Sequence, residues 1–285
     1  GVHGASDLNN TGQTTPDCVT GQLSSSAALS HKDVGALRYA MADTAFIFLH
    51  GFLGRAETTL AGKTFEYFRG LRAVARDMNV DVTVPQMRTR VGIEERALMV
   101  RGVIAKIPSA DIVLVGNSMG GLVARAVAAH HDPDRRVRAV ATICTPHRGS
   151  PLADRALAGE SRVPNFIIGV LEDALRDLSV VSAVDFNAAT PDRADVQYLS
   201  WACARPAAEM PRWFKAREHY IFEREGPNDG MVSVASATWG DFIAQERADH
   251  VECFGWSPAK ADPSIQRPFD SQALWRRVIV RCLQT

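Results

Sequence analysis

Residues 111–130 read DIVLVGNSMGGLVARAVAAH, and this stretch constrains the fold more than any other in the chain. Ile112, Val113, Leu114 and Val115 form a continuous apolar run of strand length, the pattern of a strand buried on both faces. Leu122, Val123, Ala126 and Val127 then recur at helical spacing. Ser118 stands where the period changes, inside Gly116-x-Ser118-x-Gly120. So abrupt a turn between strand and helix forces the serine into strained backbone geometry. A side chain two residues before or after it would meet the neighbouring strand and helix, so glycine is needed at both places. The helix points its amino end at the serine and favours negative charge developing there. Such a unit belongs in an α/β protein, and it makes Ser118 the candidate nucleophile.

From residue 45 onward strand and helix patterns alternate, which predicts a largely parallel sheet covered on both faces. AFIFLH (45–50) is a continuous apolar run and reads as a central strand. Residues 64–78 read as helix, 81–86 as strand and 93–107 as helix. The elbow strand at 111–116 and its helix to about 130 follow. AVATICTP (139–146) and VQYLSWA (196–202) read as further strands, and EHYIFE (218–223) as the last. Residues 1–38 are rich in Ser, Thr, Asn, Gly and Asp and read as a flexible tail, leaving 39–285 as one domain. The stretch 150–190 is longer than a crossover requires. Within it Phe166, Val170, Leu171, Ala174, Leu175 and Leu178 fall near one helical face. That helix reads either as a core-packing crossover or as a cap or lid over the site.

Composition narrows the function classes. Thirty-two basic and thirty-two acidic residues give no net charge, and no basic stripe or acidic tail stands out. Nucleic-acid binding and electrostatic adsorption to a membrane therefore gain no support. No run reaches the length of a transmembrane helix. The chain opens at Gly1, so a removed signal peptide would leave no trace. Its five cysteines, Cys18, Cys144, Cys203, Cys253 and Cys282, are spaced neither as metal ligands nor as a disulfide framework. Cys144 reads as a small buried hydrophobe, and one disulfide among the others stays open.

A serine hydroxyl needs a base within hydrogen-bond reach, and the base needs an acid to fix its tautomer. After Ser118 the histidines are His130, His131, His147, His219 and His250. His130 and His131 end the elbow helix and read as exposed residues facing the helix dipole. His219 reads as a strand start ahead of any plausible acid. His250, in the late loop ADHVECFGW, is the candidate base. Asp229, in the turn sequence GPNDGMVSV, is the candidate acid, with Asp241 and Asp249 as fallbacks. The backbone N–H groups of Met119 and Phe52 are the candidate oxyanion donors, because Gly51 in FLHGFLG (48–54) lets the chain turn sharply toward the serine. His50 then braces that loop without taking part in catalysis.

HGFLG, GNSMGG, TPHRGSPLAD (145–154) and NDGMVSVASATWG (228–240) together resemble segments of the true lipases of the α/β-hydrolase fold, the bacterial triacylglycerol lipase family and its eukaryotic relatives. TPHRGS is the most specific of the four. The resemblance covers roughly residues 44–256. It implies a mostly parallel central sheet with helices on both faces and a helical cap or lid insertion. It assigns Ser118, Asp229 and His250 the triad roles in that family's serine–acid–histidine order, gives Phe52 and Met119 the oxyanion hole, and makes His147 structural or pocket-lining. Histidine is commoner where Asn117 stands, and VECFGWSP departs from the family's usual continuation. Many bacterial members hold calcium near the histidine loop. Glu252 and Glu209 stand at suggestive places here, but two carboxylates fall short of the six to eight oxygens calcium takes. No cofactor is expected on the residues alone, with calcium kept open, and the resemblance favours secretion.

The reading that follows is a carboxylic-ester hydrolase, a lipase or esterase acting on lipid or other acyl esters, in some cases at an interface. Acyl transfer, thioester hydrolysis and polyester hydrolysis use the same triad and differ in what the pocket admits. A catalytically silent binding module is the reading from another class, and an intact triad disfavours it. No H-E-x-x-H or similar ligand cluster supports metal-dependent hydrolysis.

Overall fold

The structure, a computed structural model, describes residues 43–52, 54–60, 63–161, 165–256 and 269–284. The tail read at 1–38, and Cys18 within it, lie outside the described residues. In chain order the elements are β1 (Thr44–Leu49), the hairpin β2 (Glu57–Leu60) and β3 (Lys63–Glu66), α1 (Leu71–Met78), β4 (Asp81–Thr83), α2 (Ile93–Ile104), β5 (Asp111–Asn117), α3 (Met119–His130) and β6 (Val137–Ile143). Then come α4 (Pro151–Leu157), α5 (Asn165–Asp177), α6 (Val180–Ala189), β7 (Gln197–Cys203), α7 (Arg212–Glu225), α8 (Val234–Ala237), β8 (Asp241–Glu246) and α9 (Ser271–Leu283).

Six strands form one sheet in the order β4-β1-β5-β6-β7-β8, and every pairing is parallel. Parallel strands need a crossover between them, and helices supply it on both faces, so the central strands lose solvent on both sides. Alternate residues of each strand serve opposite cores. Ile47, Leu49, Ile112, Leu114 and Val140 pack with α2 and α3. Phe46, Phe48, Val113, Val115, Ala139, Ala141 and Ile143 pack with α1 and α9. All six carboxyl ends emerge at one edge, where α/β proteins build their sites.

Three expectations are corrected. Residues 64–66 belong to β3, and helix begins only at Leu71. EHYIFE is the second half of α7, not a strand: Phe214, Glu218 and Ile221 are buried at helical spacing, while Trp213 and Phe222 are exposed. His219 is therefore an exposed mid-helix residue beside Glu223. Among the described residues the last strand is β8, an edge strand whose Phe242 and Ile243 face outward, so it shows no alternation to read.

The 150–190 stretch holds α4, α5 and α6. Of the apolar positions noted on α5 and just after it, Ala174 and Leu178 are buried in the α2/α3 core, and Leu171 and Leu175 are half-buried. The side chains of Phe166 and Val170 lie outside the described residues. Asp177 accepts the Ile93 N–H at 2.6 Å and so caps α2, which fixes the carboxyl end of α5 to the body. No described helix is long and apolar enough to cross a membrane.

Candidate active site

Ser118 joins β5 to α3 with φ 54° and ψ −129°, a conformation that costs a non-glycine residue about 1–3 kcal/mol. Its N–H is held by the Ile143 carbonyl at 2.9 Å, at the end of the adjacent strand. The flanking glycines are obligatory for lack of space. A Cβ at Gly116 would stand 2.4 Å from the Gly120 and Gly121 backbone, and one at Gly120 would stand 2.2 Å from the Leu49 carbonyl oxygen. Gly121 is equally confined, with Thr145 Oγ1 at 2.1 Å. The elbow is thus wedged between β1 and the turn that follows β6.

The loop after β1 meets the serine directly: a Cβ on Gly51 would lie 2.9 Å from Ser118 Cβ. Phe52, half-buried, packs beside the α2/α3 core. His50 is buried, its Nδ1 is 3.2 Å from the Gly51 carbonyl, and its Nε2 accepts the Met87 N–H at 3.2 Å. Burial lowers its pKa to about 4, with the Arg96 charge adding to the effect against the Gly51 hydrogen bond, so His50 is a neutral brace. Arg96, also buried, donates to the carbonyls of Gly51, Val91 and Thr89. Tyr67 supplies the third hold. Its hydroxyl donates to Asn117 Oδ1 at 2.8 Å and accepts the Gly51 N–H at 3.2 Å. Its ring stacks on Phe254 at 4.4 Å between centroids, and its carbonyl accepts Trp256 Nε1–H. One side chain thereby joins the elbow, the glycine loop and the segment after His250.

Asp229 lies between β7 and β8. Arg205, just past β7, donates its N–H to the Asn228 carbonyl at 3.1 Å, which returns the chain to the carboxyl edge after α7. Asp229 Oδ1 accepts the N–H groups of Met231 and Val232 at 2.9 and 2.7 Å. Its Oδ2 meets His250 Nδ1 at 2.7 Å, and the His250 N–H bonds the Asp229 carbonyl at 3.0 Å. Both side chains are buried. Burial pulls the His250 pKa down, but the charge and hydrogen bond of Asp229, with smaller help from Cys253 and Asp249, outweigh it and leave the value raised. An Nδ1 engaged by a carboxylate leaves Nε2 as the free face of the ring.

The other candidates fall elsewhere. Asp241 is exposed at the start of β8, the opposite edge of the sheet. Asp249 turns into its own loop, where Oδ1 accepts the Val251 and Glu252 N–H groups. Burial, followed by the charge of Glu252, raises its pKa to about 7. His131 is buried beside Glu94, which corrects the expectation of exposure, whereas His130 is exposed. His147 is buried with Thr142, Arg125 and the stacked ring of Trp239, and burial together with Arg125 and Arg148 drives its pKa well down.

Three features escaped the sequence. Tyr67 sat inside a stretch read as helix. Buried Arg125 on α3 stacks on Trp239 and donates to Asn187 and Thr190, tying the elbow helix to the end of α6. Cys144, Cys203 and Cys253 are 109 residues apart at their extremes, yet gather their sulfurs within 4.8 Å of one another. The glutamates considered for calcium do not fit that ion. Glu252 is buried against Arg205 at 2.9 Å and accepts two backbone N–H groups, while Glu209 pairs with Arg247. Oxygens so engaged offer no six-to-eight-fold shell.

A curated relative, triacylglycerol lipase 2 of Saccharomyces cerevisiae, is 27% identical over 211 residues. The match covers 67% of this chain and 63% of the yeast protein's length. Among solved structures, Bacillus licheniformis lipase BlEst2 in mature form superposes with TM-score 0.62 at 21% identity, covering 74% of this chain and 86% of that one. The metagenomic carboxyl esterase MGS0156 gives 0.69 at 22%, covering 85% and 76%. Staphylococcus hyicus lipase gives 0.66 at 15%, covering 85% and 96%. These likenesses establish the fold. The family model described as alpha/beta hydrolase fold matches residues 44–232, from β1 through the turn that holds Asp229, and on that match the chain belongs to the α/β-hydrolase family.

Proposed function

We propose that the protein is a serine carboxylic-ester hydrolase of the lipase and esterase class, acting through Ser118, His250 and Asp229. The observation that carries this reading is the buried 2.7 Å pair between Asp229 Oδ2 and His250 Nδ1, at the same sheet edge as a serine held at positive φ. The yeast relative's name supports an acyl-lipid substrate.

In this reading Ser118 Oγ attacks the acyl carbon while its proton passes to His250 Nε2. Asp229 keeps the ring in the tautomer that leaves Nε2 basic, then stabilises the imidazolium. The N–H groups of Phe52 and Met119 receive the oxyanion, Met119 being the first residue of α3 and so a helix N–H with no partner inside the helix. His250 returns the proton to the departing alcohol. It then takes one from water, whose oxygen attacks the acyl-serine and frees the acid.

Hydrolysis of p-nitrophenyl esters from short to long acyl chains, with an emulsified triglyceride alongside and Ser118→Ala as blank, tests the assignment. Turnover lost in Ser118→Ala with the fold retained is the expected result, and undiminished turnover refutes it. A preference for long chains with a gain at the emulsion surface makes the chain a lipase with 160–185 acting as a lid. Short-chain preference without that gain makes it an esterase with an open site.

A further inference from the structure

Cys253 lies three residues past His250 in a short 3-10 turn, Glu252–Phe254. Its Sγ is 3.1 Å from Sγ of Cys144, the residue after β6, and 3.2 Å from Sγ of Cys203, the last residue of β7. All three are 0–1% exposed and belong to the apolar core that faces α1 and α9. We propose that Cys253 forms a disulfide with one of these two strand-end cysteines, fastening the His250 loop to the carboxyl edge of the sheet, with the remaining thiol placed to exchange with it.

The alternative for three converging thiols is a thiophilic metal, and three observations disfavour it. Contacts of 3.1 and 3.2 Å are shorter than the edge of about 3.8 Å that a tetrahedron with zinc–sulfur bonds of about 2.3 Å requires. Hydrogen bonds from Cys144 and Cys253 lower the Cys203 pKa to about 7, so one thiolate fits here, but burial and Asp229 act against a second at Cys253 and burial against a third at Cys144. A structural zinc site also needs a fourth donor, and no His, Asp or Glu joins the cluster among the described residues. A disulfide is neutral and apolar and suits this core.

The bond forms by exchange with an external small disulfide such as oxidised glutathione, while the loop is still open during folding. A Cys253 thiolate attacks one glutathione sulfur, forms the mixed disulfide and expels a glutathione thiolate. Cys144 or Cys203 then gives up its proton and displaces the second glutathione. Two protein thiols are oxidised, and one external disulfide is reduced to two thiols.

The test is the intact chain equilibrated in an oxidising glutathione buffer, alkylated in denaturant and mapped by non-reducing peptide mass spectrometry, with metal content measured in parallel. A Cys253 peptide joined to the Cys144 or Cys203 peptide is the expected result. Three alkylated thiols, a Cys144–Cys203 bond, a bond through Cys18, or stoichiometric zinc or copper would each overturn it. Reduction should lower Tm by about 5 °C, and Cys253→Ser should lose that sensitivity. That the bond holds a catalytic loop rests on the proposed function, whereas the peptide map does not depend on ester turnover.

Discussion

Replacing Tyr67 by Phe removes one oxygen atom and isolates the junction it makes. The aromatic contacts with Phe68 and Phe254 survive, because the ring is unchanged. The hydrogen bonds to Asn117 Oδ1 at 2.8 Å and from the Gly51 N–H at 3.2 Å are lost. Each is worth about 1 kcal/mol net, and a buried group left without a partner adds about 1–3 kcal/mol. Together they predict a loss of about 3–5 kcal/mol. A chain of 285 residues has a melting entropy of about 0.6 kcal/mol/K, so Tm should fall by about 5–8 °C. Activity should suffer separately. Gly51 borders Ser118, and freeing its N–H lets the glycine loop drift from the position in which, under the proposed mechanism, Phe52 receives the oxyanion. Displacement of order 1 Å lowers kcat about ten- to a hundred-fold. Thermal unfolding and steady-state hydrolysis of one p-nitrophenyl ester read the two effects. A Tm and kcat both equal to wild type would refute the claim that this hydroxyl holds the elbow and the loop together.

The Asp229→Asn variant should lose about 10³–10⁴-fold in kcat. Its acid limb in kcat/KM should also move to lower pH, since the charge that raises the His250 pKa is gone while burial remains; an unmoved limb would exclude Asp229 as the partner. For Asp249 the folded pKa, about 7, lies above the ordinary carboxyl value, so the folded state binds the proton more tightly than the unfolded chain does. Its contribution is complete in acid and disappears as pH rises through about 7. Asp249→Asn should therefore flatten the fall in denaturant midpoint between pH 5 and pH 8, and a parallel curve would show that the carboxyl is ionised throughout. Gly120→Ala places a Cβ 2.2 Å from backbone that cannot give way. Soluble yield should collapse, or Tm should fall by the equivalent of about 3 kcal/mol or more, and a normal melting curve would contradict the tight packing of the elbow.

The central strands and the elbow were legible because their causes are local. Ile112–Val115 and Ala45–Leu49 are apolar throughout, and only a strand buried on both faces uses such a run. The geometry places Asp229 beside His250 as the order of acid and histidine suggested, though it reaches Asp229 from a helix and not from a strand. That misreading has a physical source: HYIF carries no period long enough to separate strand from helix, and burial of one face of α7 decided it. β8 was invisible because its pairing with β7 does not bury its side chains. Tyr67, Arg96 and Arg125 were unreadable for another reason. Each takes an essential partner from 45 or more residues away (Asn117 for Tyr67, Gly51 for Arg96, Asn187 for Arg125), and the local sequence does not announce it.

These distant contacts explain how a loop with little regular structure can hold an imidazole in place. The His250 loop is gripped on three sides: Phe254 stacks on Tyr67, Glu252 pairs with Arg205, and Cys253 packs against Cys144 and Cys203. The ion pair is almost wholly buried, so removing one partner would strand the other charge at a cost of about 3–5 kcal/mol. An attractive pair of that kind positions more than it stabilises, since the desolvation of both charges offsets most of their attraction. The grip also accounts for what the carboxylates near His250 do. Glu252 orders the loop through a guanidinium and two backbone N–H groups. A histidine whose partner is 2.7 Å away gains nothing from that contact unless the loop behind it stays still. The chain meets that requirement with side chains drawn from the segment after β3, the ends of β6 and β7, and the 3-10 turn itself.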